Sequence, residues 1–113
     1  MKTLWSSIIY ENPLPQLCSR QSAFPWLCQC KDGTIIASHA IGQAFESVDG
    51  ATYISKSTDG GKPWGEPQVM FDKSDFNLKI TDYCKVTALP DGKFAALGYA
   101  YIREDESLPL GNP

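Results

Sequence analysis

The chain has little with which to grip a phosphate backbone, a metal ion or a bilayer. Its 113 residues include one histidine, and ten lysines and arginines are scattered among thirteen acids for a net charge of −3. No basic stripe is present to neutralise phosphates, which argues against nucleic-acid and anionic-membrane partners. One histidine and no spaced carboxylate loop leave no zinc or EF-hand ligand set, and no cofactor is expected. No apolar run approaches the roughly 20 residues that span a bilayer. The N-terminal apolar stretch is broken by Ser6 and Ser7 and ended by Glu11, short of the roughly 7–15 residues of a secretory core. The expectation is a cytoplasmic chain without a membrane partner.

Helical periodicity is also missing. No long segment repeats apolar residues at i, i+3, i+4 and i+7, while 9 glycines and 8 prolines punctuate the chain. Cys18, Cys28, Cys30 and Cys84 offer no pair with a two-residue gap, so a zinc knuckle and a redox motif are excluded. Free thiols are the favoured reading and a disulfide framework the alternative; Cys28 and Cys30 would share one strand face, where parallel Cβ vectors rarely bridge.

What is present is an all-β pattern. Strands are expected near Ser7–Tyr10, Phe24–Cys30, Thr34–Ala40, Thr52–Lys56, Gln68–Phe71, Tyr83–Leu89 and Phe94–Tyr101. Two turns, Lys31-Asp32-Gly33 and Pro90-Asp91-Gly92, pair an aspartate that bonds its own backbone with a glycine that takes positive φ, and each marks a hairpin. Asp32 and Asp91 are 59 residues apart, as are Trp5 and Trp64. The same offset carries Phe24 onto Tyr83, Leu27 onto Val86, Ile35 onto Phe94 and Ala37 onto Ala96. A four-stranded unit repeating at this length points to an array whose members bury their faces against each other, as propeller blades do.

The segment Ser57-Thr58-Asp59-Gly60-Gly61-Lys62-Pro63-Trp64 matches an Asp-box at Ser57, Asp59, Gly61 and Trp64. Ser57 and Asp59 can accept turn amides, Gly61 supplies the left-handed conformation, and Trp64 can plug the turn onto a sheet. With the Phe24-Pro25 entry, the hairpin Lys31 to Ala37 and the strand Tyr53 to Lys56, this region resembles the first full blade of sialidase-superfamily propellers, the Asp-box repeat proteins. The resemblance implies a six-bladed propeller in the full family. Here residues 1–13 would be the ring-closing strand, 24–71 the full blade, and 83–113 the first half of the next. It also implies an N-terminal fragment that meets the remainder of a propeller, or assembles with copies of itself.

The resemblance implies two classes of function. One is a retaining, exo-acting glycoside hydrolase; the other is a non-catalytic propeller that binds glycan or protein through its loops. Family enzymes clamp a sugar carboxylate with arginines, one of which precedes an aliphatic-Pro pair in the first blade; here that position is Ala23, so sialic acid fits poorly. Counting back from Ser57, Glu46 falls where the family carries its acid/base carboxylate, with Asp49 a second acid on the same loop. Arg20 and His39 are weaker substrate-binding candidates, and Arg103 reads as a rim residue of a charged loop. The resemblance places the family's tyrosine nucleophile and its glutamate partner outside this fragment.

Overall fold

Alternating apolar and polar residues between Asp-Gly turns build two antiparallel sheets. The structure, a computed structural model, describes residues 2–74 and 79–103. Its strands are β1 (Gln21–Gln29), β2 (Ile35–Gly42), β3 (Ala51–Ser57), β4 (Gln68–Val69), β5 (Lys79–Ala88) and β6 (Phe94–Arg103). The first sheet has the order β1-β2-β3-β4 and the second pairs β5 with β6. No helix occurs among the described residues, so none is long and apolar enough to cross a membrane. The end of the expected 83–113 unit, residues 104–113, lies outside the described residues.

Six of the seven expected strands form, and the strand at Ser7–Tyr10 does not. A strand needs a partner for its backbone groups, and this segment lies on the turn of residues 57–64 instead. Ser7 donates its hydroxyl to the Gly61 carbonyl and accepts the Trp64 indole N–H at 3.2 Å. A Cβ placed on Gly61 would lie 3.5 Å from Trp5 and 3.6 Å from Trp64. Trp5 and Trp64 therefore both lie against Gly61 of this turn.

The spacing of the hairpins is a true structural repeat. Leu27 pairs with Ala37 and Cys28 with Ile36, while Val86 pairs with Ala96 and Thr87 with Ala95, each pair displaced by the same 59 residues. The turns match in detail. Thr34 N reaches Asp32 Oδ1 at 2.9 Å and Lys93 N reaches Asp91 Oδ1 at 3.0 Å, with Gly33 at φ 93° and Gly92 at φ 84°. The units part company at Phe24 and Pro25, where β1 carries a bulge that β5 lacks. Proline has no N–H for the ladder, which fits a bulge there.

The middle strands of the first sheet, β2 and β3, are covered on both sides. Ile36, Ser38 and Thr52 face the second sheet, and His39 and Ser55 face the N-terminal segment, where Tyr10 packs 6.2 Å from the His39 ring. The contact with β5 is unusually polar. Cys84 N donates to Thr52 Oγ1 at 2.9 Å, Val86 N to Ser38 Oγ at 3.2 Å and Asp82 N to the Gly50 carbonyl at 3.3 Å. These hydroxyls are themselves buried, so the bonds offset their desolvation. All four cysteines are free and partly exposed.

Candidate functional site

The loop from β2 to β3 and the crossing of β5 over the end of the first sheet enclose a cavity of about 150 Å³. Phe24, Phe45, Tyr83 and Tyr99 wall it, and Ala23 and Glu46 border it. The rings form a continuous series, with centroids 5.2 Å apart for Phe45 and Phe24, 4.9 Å for Phe24 and Tyr83, and 6.1 Å for Tyr83 and Tyr99. Phe24 and Glu46 are the non-glycine residues at positive φ among the described residues, at 55° and 51°. Such conformations cost on the order of 1–3 kcal/mol each and concentrate at functional sites. That both fall on this one cavity singles it out.

Glu46 is held from two sides. Its Oε1 accepts the Tyr99 hydroxyl at 3.2 Å, and its backbone carbonyl accepts Arg103 Nη2 at 2.7 Å. Arg103 also donates to Thr81 Oγ1 at 3.1 Å and stacks on Tyr101. It is 4% exposed at the end of β6, which corrects the expectation of a charged rim residue. The Tyr99 hydroxyl is pushed up to about 12, first by burial and then by its bond to Glu46. It therefore stays protonated and serves as a donor; a tyrosine nucleophile would need the phenolate.

The other sequence candidates sit elsewhere. Asp49 accepts Gln43 N at 3.1 Å and the Ser47 hydroxyl at 2.5 Å, so its carboxylate ties the loop that presents Glu46 and does not line the cavity. Arg20 donates to the Tyr10 hydroxyl at 3.3 Å on the N-terminal side of the first sheet and does not border Glu46. Ser57, Asp59, Gly61 and Trp64 lie on one turn, in which Ser57 Oγ donates to Asp59 Oδ1 and accepts the Gly61 N–H, each at 2.9 Å, so that Asp59 takes a hydroxyl in place of the turn amides expected of it. Gly61 stands at φ 92°, the conformation the turn demands of it.

His39 is 1% exposed, bridging Ser22 Oγ at 2.8 Å and Ser55 Oγ at 2.9 Å. It holds the first sheet together and lies outside the cavity. Burial lowers its pKa. The unfolded chain, whose histidine titrates near ~6.5, then binds the extra proton in acid, so stability falls as pH drops below that value until the folded pKa is passed. Because the chain has one histidine, urea midpoints measured across this window should lose that slope in His39→Gln. A slope that persists in the variant would place the pH dependence in other groups.

Sequence reasoning missed Tyr83, Tyr99 and Arg103 as site residues. The 59-residue offset that lays Tyr83 on Phe24 was the available signal, since the two side chains meet and the Tyr83 hydroxyl donates to the Phe24 carbonyl. No cluster of three or more metal-ligating side chains occurs among the described residues. Comparison with family models, with curated proteins and with solved structures returned no match.

Proposed function

We propose that the chain supplies one blade and part of the next to a sialidase-like β-propeller, and that it engages a glycan at the Glu46 cavity. The observation that carries this reading is the pairing of a carboxylate with a wall of aromatic rings at the loop end of the sheets. Sugars present apolar C–H faces that stack on aromatic rings and hydroxyls that donate to carboxylates. The blade assignment is supported by the hairpin repeat in constant register, by the Asp-box turn, and by sheet faces rich in exposed apolar groups such as Leu27, Phe94 and Leu97. Blades cover such faces with their neighbours.

In the hydrolase form of this reading, Glu46 is the acid/base carboxylate that protonates the departing glycosidic oxygen. Tyr99 orients it and Arg103 fixes its backbone. The non-catalytic form is favoured by Ala23. This residue borders the same cavity as Glu46, at the position where the resemblance calls for a carboxylate-binding arginine.

A titration of the full chain with glucose, galactose and N-acetylneuraminic acid, followed by NMR, tests the proposal. An uncharged sugar should shift the resonances of Phe45, Glu46 and Tyr99 with a Kd near ~1 mM, equivalent to about −4 kcal/mol, and the acidic sugar should bind more weakly. If no sugar moves these resonances, the glycan reading fails. Bound fluorogenic glycoside that is cleaved marks the hydrolase, and a stable complex marks the binding module.

A further inference from the structure

The electrostatics of the cavity narrow the ligand further. Its described lining contains two carboxylates, Glu46 and Asp82, and no lysine, arginine or histidine. Asp82 is already matched, since Oδ1 lies 2.7 Å from Lys73 Nζ and Oδ2 accepts Thr52 N at 3.1 Å. Glu46 has only partial compensation of its side chain: the Tyr99 hydroxyl, a neutral donor, bonds Oε1. Arg103 donates to the Glu46 backbone carbonyl and to Thr81 Oγ1, both on residues of the cavity lining. Four aromatic rings line the same cavity as this carboxylate, and aromatic π faces carry negative potential and attract cations. Phe45 and Tyr99 are 56% and 39% exposed, so the site opens to solvent.

We propose that the Glu46 cavity selects a cationic amino sugar, a hexosamine whose amino group is free and protonated. The sugar follows from the proposed function, on which this inference rests; the positive charge follows from the cavity itself. An ammonium placed between Glu46 and the rings gains a charge-assisted hydrogen bond to the carboxylate and a cation–π contact to the wall. The pyranose ring then stacks on the remaining aromatic surface. Ala23 contributes by absence, because an arginine there would repel the ammonium.

Glucosamine, glucose and N-acetylglucosamine separate the contributions, since acetylation removes the charge and keeps the ring. Titrated by NMR into the full chain at low salt, glucosamine should bind about ten-fold more tightly than glucose, equivalent to about 1.4 kcal/mol. N-acetylglucosamine should lose that advantage, and raising the ionic strength should shrink it. In Glu46→Gln the glucosamine affinity should fall to that of glucose. The Arg103 bond to the loop goes to the backbone carbonyl of residue 46, so this substitution leaves it in place. Equal binding of all three sugars to the wild-type chain overturns the inference and leaves the glycan reading standing, whereas binding of none overturns both. The ligand series requires no variant, so misfolding of Glu46→Gln would not protect the inference.

Discussion

Gly98→Ala is expected to destabilise the chain by roughly 3 kcal/mol or more, because the space for a side chain is filled by backbone. Gly98 pairs with Cys84 across the β5–β6 ladder. A Cβ at this position would collide with the Tyr83 carbonyl and would stand 2.6 Å from Cys84 Cα. A flexible side chain could swing away from such an intruder, but a strand held by its ladder cannot. The variant must either push β6 off β5 or lose the pairing locally. Urea denaturation followed by circular dichroism reads the effect as a lower midpoint with an unchanged slope. A midpoint within error of the wild type would mean that β5 and β6 do not approach so closely at Gly98.

Tyr83→Ala should cost roughly 3–5 kcal/mol, the range for truncating a large buried aromatic. Tyr83 is 6% exposed, packs on Phe24 and Tyr99, and donates its hydroxyl to the Phe24 carbonyl. It thus couples the second sheet to the bulge of the first and forms the middle of the cavity wall. Tyr83→Phe keeps the ring and removes the hydroxyl, and should cost about 1 kcal/mol, the worth of a typical hydrogen bond. The pair of variants divides packing from bonding. Equal losses in the two would assign the coupling to the hydroxyl, contrary to the large ring contacts.

The strands and turns could be read from the sequence because their causes are local. Asp32-Gly33 and Asp91-Gly92 specify their hairpins by side-chain bonding and positive φ, and the alternation along β2 and β5 sets which residues face which side. Glu46 was reached by its distance from the Asp-box, and it does border the cavity. The segment Ser7–Tyr10 was misjudged because a run of β-formers becomes a strand only beside a partner, and whether one exists is a tertiary matter. Arg103 was misjudged for a related reason. The residues that follow it in sequence are charged, while in space it bonds Thr81 and the Glu46 carbonyl, which sheet pairing and loop closure bring to it. His39 fell near the expected site in sequence but on the other side of the first sheet, because alternate residues of a strand point to opposite faces, while Arg20 precedes β1 and bonds Tyr10 of the N-terminal segment.

The hydroxyls of Ser38 and Thr52 that meet β5 also bear on solubility. An open strand edge is a template on which another chain can add itself, and proteins guard such edges with charge, bulges or covering elements. Here the Cys84 and Val86 amides of β5 are occupied by side chains standing up from a neighbouring sheet, so this stretch of the edge is guarded without a strand laddered beside it. The guard exists only while the first sheet is formed. A chain in which β5 and β6 pair before β2 and β3 would carry its most adhesive edge uncovered, and conditions that delay the first sheet would favour aggregation over folding.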